Sequence, residues 1–72
     1  MSHEFELKEV LEAPRFAALL RATADAVEHG TTLQLTLNGE TRTVQPHGKL
    51  EVEYEEEHDK CELEFEMKWR AA

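Results

Sequence analysis

The stretch Cys61-Glu62-Leu63-Glu64-Phe65-Glu66-Met67-Lys68-Trp69-Arg70 alternates apolar and charged residues without a break. Successive side chains of a β-strand point to opposite faces, so this alternation predicts an amphipathic strand. A helix could not separate the two kinds of residue so completely. We therefore expect a closing strand with one apolar face, ending at Trp69, and one charged face.

Three earlier segments alternate in the same way, at residues 3–7, 32–37 and 50–55. Asn38-Gly39 follows the second of them and is the strongest short hairpin signal, because a type I′ turn needs positive φ at both positions. A two-residue loop also sets the register of the hairpin. The predicted pairs are Leu37 with Glu40, Thr36 with Thr41, Leu35 with Arg42, Gln34 with Thr43 and Leu33 with Val44.

One helix is predicted between the first and second of these strands, over residues 14–28. Pro14 suits the first turn of a helix, where its missing N–H costs nothing. No Ser, Thr, Asp or Asn stands just before it, so the N-cap is weak, and His29-Gly30 marks the exit. Apolar or small side chains recur at helical spacing and form one stripe: Phe16, Leu19, Leu20, Thr23, Ala24 and Val27.

These elements predict an α+β fold in a single domain over residues 1–72. Residues 45–48 break the strand pattern and form a turn, and residues 56–59 form a polar loop before the last strand. Each strand has one apolar face, and the helix has one stripe with which to cover these faces. We expect one helix packed on one face of an antiparallel sheet, in the order β-α-β-β-β-β. The sheet has five strands if residues 3–7 pair into it and four if they do not.

Composition restricts the class of function. The 72 residues include sixteen acids and eight bases, for a formal net charge of −8, and 40% are hydrophobic. Such a chain would be repelled by nucleic acid and by anionic membranes. No apolar run is long enough to span a membrane, and the single cysteine fits a reducing cytoplasm. The residues after Met1 are neither basic nor apolar, so we do not expect a secretory signal. We expect a small cytoplasmic protein that binds neither nucleic acid nor membranes.

The acidic residues are concentrated between Glu51 and Glu66, where nine acids accompany one base, Lys60. The shared apolar face of the last two strands allows two registers, with Tyr54 opposite either Cys61 or Leu63. In both registers glutamates face glutamates on the outer side, an arrangement that is destabilising. This surface is a solvated face, a docking face for a basic protein partner or a weak cation site. We expect a protein–protein interaction module that docks a basic partner. The candidate partner-binding residues are Glu51, Glu53, Glu55, Glu62, Glu64 and Glu66.

Trp69 is a further candidate for partner binding. Its position favours a role as the last residue of the core, because large aromatic side chains are mostly buried. The alternative is an exposed anchor for a partner chain or for a second copy, since aromatic residues are enriched at interface hot spots. An edge strand could also pair with its own copy and form a homodimer.

A metal or small-ligand site is the alternative function, and it would use His47, His58, Asp59 and Cys61. Structural zinc needs four ligands at recurring short spacings, whereas this chain has one cysteine. Cys61 also occupies an inward strand position, where a free thiol behaves as a small hydrophobe. No third group is available to orient a Cys61–His58 pair for catalysis. We therefore expect neither an enzyme nor a cofactor.

The chain resembles the amphi-Trp domain proteins, a family of short prokaryotic proteins. The resemblance is carried by the helix at residues 16–20, Gly30, the strand at residues 50–54, and the stretch from Leu63 to Trp69. It implies a stand-alone α+β domain in a bacterial or archaeal cytoplasm and no catalytic residue. Two features depart from the family pattern: Ala13-Pro14 at the helix start, where a Ser or Thr cap would be usual, and Cys61 at an inward position.

Overall fold

The computed structural model describes residues 4–71, which form one helix and four antiparallel strands. Helix α1 spans Ala13–His29 and is followed by strands β1 (Leu33–Leu37) and β2 (Glu40–Val44). Strands β3 (Lys49–Glu57) and β4 (Lys60–Lys68) complete the fold. The predicted α+β class is confirmed.

The helix begins one residue earlier and ends one residue later than its apolar stripe predicts. Its N-cap residue, Glu12, makes no side-chain capping hydrogen bond, as expected from the absence of a Ser, Thr, Asp or Asn. Ala26 is the one buried apolar side chain of the helix. Phe16 and Leu20 lie on the predicted stripe but remain 53% and 44% exposed.

The first hairpin, β1–β2, has the predicted register, from Leu33 opposite Val44 to Leu37 opposite Glu40. Asn38 and Gly39 both have positive φ, as the type I′ turn requires. The hydroxyl oxygens of Thr36 and Thr41 lie 2.8 Å apart across the strands. Inward leucines alternate with exposed polar residues along β1, so local pattern and turn chemistry together determine this hairpin.

The second hairpin, β3–β4, selects one of the two registers allowed by the sequence. Tyr54 lies opposite Leu63, and Val52 lies opposite Phe65. The strands extend further than expected, so that only His58 and Asp59 form the turn, with His58 at φ 53°. The polar loop predicted at residues 56–59 is therefore reduced to two residues.

The expectation of one four- or five-stranded sheet is not met, because each hairpin is a separate two-stranded sheet. The connection from β2 to β3 contains Pro46, which has no N–H to donate to a sheet. Pro46 is buried, and the Gln45 side-chain amide donates a hydrogen bond to the Gly30 carbonyl at 3.0 Å. The connection thus packs toward the end of the helix and separates the two hairpins.

The strand expected at residues 3–7 is absent from residues 4–7, while residue 3 lies outside the described part of the chain. The segment before the helix is held instead by the turn of the first hairpin. The Asn38 backbone N–H donates to Glu9 Oε1 at 2.8 Å, and the Asn38 side-chain amide donates to the Lys8 carbonyl. The Arg42 guanidinium lies 4.3 Å from the ring centre of Phe5. The order of elements in residues 4–71 is therefore α-β-β-β-β.

Candidate functional site

The second hairpin has two chemically different faces, and both are exposed. One face, which we call the glutamate face, is formed by three directly opposed pairs: Glu51 and Glu66, Glu53 and Glu64, and Glu55 and Glu62. The other, which we call the apolar face, is formed by Leu50, Val52, Tyr54, Leu63, Phe65 and Met67. The strict alternation of β3 and β4 separates the two because successive side chains point to opposite sides of a strand.

Lysines bound the glutamate face at both ends. Lys49 lies opposite Lys68 at the base of the hairpin, and Glu57 lies opposite Lys60 beside the turn. Lys68 Nζ is 3.6 Å from Glu66 Oε1, with both side chains mostly exposed. A surface ion pair of this kind contributes little to stability, about 0–1 kcal/mol. The middle of the face therefore remains strongly negative.

The repulsion within the glutamate face is visible in the pKa of Glu64, which is raised above its ordinary value. The main cause is a hydrogen bond with the Glu53 side chain, followed by the negative charge of Glu53. Partial desolvation and the charges of Glu62 and Glu66 act in the same direction. Glu64 therefore accepts a proton more readily than an isolated glutamate does.

The apolar face is the feature that sequence reasoning misplaced. It was expected to form the core beneath the helix, but Val52, Leu63 and Phe65 are 61%, 62% and 59% exposed. Within residues 4–71 the helix backbone closely approaches β1 and neither strand of the second hairpin. The alternating pattern identified which residues share the face, but it could not show whether the same chain covers them.

An open groove of about 510 Å³ separates the helix from the base of the apolar face. The helix lines it with Leu20, Thr23, Ala24, Val27 and Glu28, and the hairpin with Leu50, Glu51, Val52, Phe65, Glu66 and Met67. The apolar stripe of the helix and the apolar face of the hairpin therefore lie on opposite sides of the groove and do not pack against each other. Trp69 lies next to the groove end of β4 and is 40% exposed, with its ring 5.4 Å from that of His47.

The apolar face ends in polar groups beside the hairpin turn. The Tyr54 hydroxyl donates a 2.6 Å hydrogen bond to Glu56 Oε2, which lies on the same side of the strand. This bond raises the pKa of Tyr54, and the neighbouring Cys61 adds to the effect. Cys61 is an exposed free thiol opposite Glu56 and is not a core residue, contrary to the expectation from its parity.

The residues of the alternative metal site are not brought together within one chain. His47 precedes β3, and its Nδ1 is 2.7 Å from the Gln45 carbonyl oxygen. His58 and Asp59 form the turn after β3, so the nine-residue strand separates them from His47 by about 30 Å. Only His58, Asp59 and Cys61 are close in sequence. Within residues 4–71, their ligand atoms do not all lie within 4.8 Å of one another.

A different group of potential ligand atoms occurs at the end of the helix. Asp25, Glu28 and His29 place one ligand atom each within 4.8 Å of one another, and all three side chains are exposed. Their i, i+3, i+4 spacing is a sequence signal that could have identified them, since such residues share a helix face. His29 Nδ1 lies 3.0 Å from the Asp25 carbonyl oxygen, so the imidazole is already engaged locally.

No helix in residues 4–71 combines the length and apolar character that a membrane crossing would require. The architecture and its exposed hairpin define a small α+β protein whose distinctive surface is a two-faced β-hairpin. The model of the Amphi-Trp domain family matches residues 1–72, and the chain belongs to that family. Comparisons with curated proteins and with solved structures found no match.

Proposed function

We propose that this protein is an interaction module that docks a basic protein partner through the glutamate face. The observation that supports this proposal is the three directly opposed glutamate pairs on an exposed hairpin. Like charges in this position destabilise the hairpin. We therefore attribute the three pairs to a function of the protein and not to its folding stability. A basic partner would relieve that repulsion on binding.

Complementary charge mainly steers encounter and selects among partners, and the glutamate face is suited to both tasks. Its binding residues would be Glu51, Glu53, Glu55, Glu62, Glu64 and Glu66, with Trp69 as a lesser contact beyond the end of β4. Nucleic acid and anionic membranes are excluded from the proposal because this face would repel phosphate groups. The proposal includes no catalytic step, metal or cofactor.

The proposal places the module in the cytoplasm of a prokaryote, where a reducing environment suits the exposed thiol of Cys61. It also includes a homodimer. Both hairpins are two-stranded, so each strand has one unpaired edge. Charged side chains at the ends of β3 and β4 discourage pairing through those edges, which favours a sheet face over a strand edge as the dimer surface.

Affinity capture from native lysate with a matched pair of variants tests the docking proposal. The first variant carries Glu51→Gln, Glu53→Gln and Glu55→Gln on the glutamate face. The control carries Glu4→Gln, Glu6→Gln and Glu12→Gln, which removes the same charge elsewhere. We expect a basic protein to be retained by the wild type and by the control and lost by the first variant.

Salt provides the second criterion of the same experiment. Raising the salt from about 0.1 M to about 1 M shortens the screening length from about 10 Å to about 3 Å and should release the captured protein. Equal capture by both variants, or capture that persists at high salt, would contradict docking through the glutamate face.

A further inference from the structure

We infer that the apolar face of the second hairpin is the surface through which two copies of this chain associate. The inference deepens the homodimer part of the proposed function and is independent of docking through the glutamate face. It starts from the small size of the intramolecular core. Among the described residues, Ala26 and Pro46 alone are buried, while Val52, Tyr54, Leu63 and Phe65 are more than half exposed.

The accessible surface is larger than a folded monomer of this size should have. It measures 6669 Å² for a chain of 8.3 kDa, whereas about 4,600 Å² is typical of monomers of that mass. The radius of gyration, 13.9 Å, likewise exceeds the value of about 11 Å expected for 72 residues. The single chain thus leaves uncovered a large area that compact domains bury.

The excess area is large enough for a homodimer interface. It belongs to the whole chain, and the apolar face supplies part of it, since its side chains are only partly exposed. Covering about half of the excess on each of two copies would bury about 2,000 Å² in total, at the lower end of the range of about 2,000–5,000 Å² for large homodimer interfaces. A two-fold dimer brings the same patch of both copies together, so one apolar face covers the other. Leu20 of the helix lines the groove beside this face and is 44% exposed, so it would be covered with it.

The charges of two copies permit this arrangement despite the net charge of −8 on each. When the apolar faces meet, the glutamate faces point outward from opposite sides of the dimer. Packed sheets lie about 10 Å apart, which exceeds the screening length of about 8 Å at physiological salt. Repulsion between the two glutamate faces is therefore weak, and both stay available to basic partners.

Other occupants fit the apolar face less well. A small ligand in the groove would contact Leu50, Val52, Phe65 and Met67 but leave Tyr54 and Leu63, which lie outside the groove, still exposed. A basic protein would find one carboxylate on this side of the hairpin, Glu56, and that group already accepts a hydrogen bond from Tyr54. A second copy supplies a surface of matching size and character.

Sedimentation equilibrium and thermal melting of the wild type, from about 1 µM to about 200 µM, test the inference directly. We expect a mass twice that of the 8.3 kDa chain at the upper concentrations and a melting temperature that rises with concentration. A monomer throughout the range, with a melting temperature independent of concentration, would overturn the inference, whether the face is then covered by the chain's own helix or by a ligand.

Variants locate the interface. Val52→Thr keeps a β-branched side chain at a position that is exposed in the monomer, so it should fold, and we expect it to weaken the dimer about tenfold or more. Val52→Glu should abolish the dimer, whereas Thr43→Glu adds the same charge to the outer side of the first hairpin and should leave it intact. A dimer that survives Val52→Glu would show that another surface forms it.

The two proposals fail separately in these experiments. The triple glutamine variant of the glutamate face should remain dimeric, because its substitutions lie on the opposite side of β3. Loss of partner capture without loss of the dimer would support both proposals. Loss of the dimer in that variant would contradict the placement of the interface on the apolar face.

Discussion

Glu53 and Glu64 face each other across the second hairpin, and a hydrogen bond between their carboxyl groups raises the pKa of Glu64. The bond requires one of the two groups to hold a proton, so it competes with full ionisation of the pair. The negative charges of Glu62 and Glu66, on either side of Glu64 along β4, raise the pKa of Glu64 further. The repulsion within the glutamate face is therefore strongest at neutral pH and low salt.

Mild acid or added salt is predicted to stabilise the fold. Glu64 has a higher pKa when folded than the ordinary value of 4.5, so the folded state binds its proton more readily than the unfolded state does. Stability is reduced above the raised pKa and recovers as the pH falls through it. We expect the melting temperature to rise from about pH 7 to about pH 5, and to rise with salt at neutral pH because surface charges are screened.

Glu53→Gln tests the cause of this behaviour. The substitution removes the charge opposite Glu64 and should raise the melting temperature at neutral pH by about a few degrees, while reducing the further gain on acidification. Glu57→Gln is the matched control, because Glu57 lies opposite Lys60 and its removal should not stabilise the hairpin. Identical pH and salt profiles for wild type and Glu53→Gln would refute the assignment to this pair.

Gly48→Ala is predicted to destabilise the protein more than Gly39→Ala does. Both glycines have positive φ, at 81° and 79°, so alanine should cost about 1–2 kcal/mol at either position through backbone strain alone. A Cβ at Gly48 would also overlap the carbonyl oxygen of Lys68, whereas one at Gly39 meets nothing within 4 Å. We expect a total loss of more than about 2 kcal/mol for Gly48→Ala.

Urea unfolding at one fixed protein concentration measures this difference, since self-association would otherwise shift the midpoint. Gly39→Ala serves as the control for positive φ without crowding. Equal losses of unfolding free energy in the two variants would mean that the β2–β3 connection does not pass tightly against the end of β4.

Glu9→Gln is predicted to destabilise the protein at neutral pH and to have no effect in acid. The Asn38 backbone N–H is the main cause of the lowered pKa of Glu9, and Arg15, 3.2 Å away, lowers it further. Because the folded pKa is depressed, this stabilisation is present above the ordinary value of 4.5 and is lost as the pH falls through the folded pKa.

The expected decrease in melting temperature at about pH 7 is small, about a few degrees, since Glu9 is partly solvated. The difference from wild type should shrink below about pH 4.5, where the unfolded carboxylate becomes protonated. Glu6→Gln, an exposed change in the same segment, is the control and should match wild type throughout. A difference between Glu9→Gln and wild type that persists in strong acid would rule out the proposed charge effect.

Local patterns were sufficient for the individual elements of this fold. Asn38-Gly39 determined both the turn and the register of the first hairpin, because a two-residue loop leaves no freedom in pairing. The register of β3–β4 was narrowed to two choices by parity, and the tertiary structure selected the one with Tyr54 opposite Leu63. The strand expected at residues 3–7 does not form over residues 4–7. An alternating pattern favours a strand but does not provide a neighbouring strand for it to pair with.

The sequence also predicted some features of the candidate sites and not others. The membership of the glutamate face followed from alternation, and the structure confirmed that Glu51, Glu53 and Glu55 oppose Glu66, Glu64 and Glu62. The separation of His47 from His58 could not be judged from spacing, because it depends on β3 being a fully extended strand. Nor could the sequence show the contact of Asn38 with Glu9, which joins residues far apart in the chain.

The sequence by itself determined which residues share a face, because the two-residue period of a strand and the 3.6-residue period of a helix are local properties. Only the tertiary structure decided what covers each face. Pro46 and Gly48 direct the chain between the hairpins, so the second hairpin stands away from the helix and the apolar residues of β3 and β4 remain exposed. Burial is a long-range property, since it depends on where other segments, or another copy of the chain, are placed.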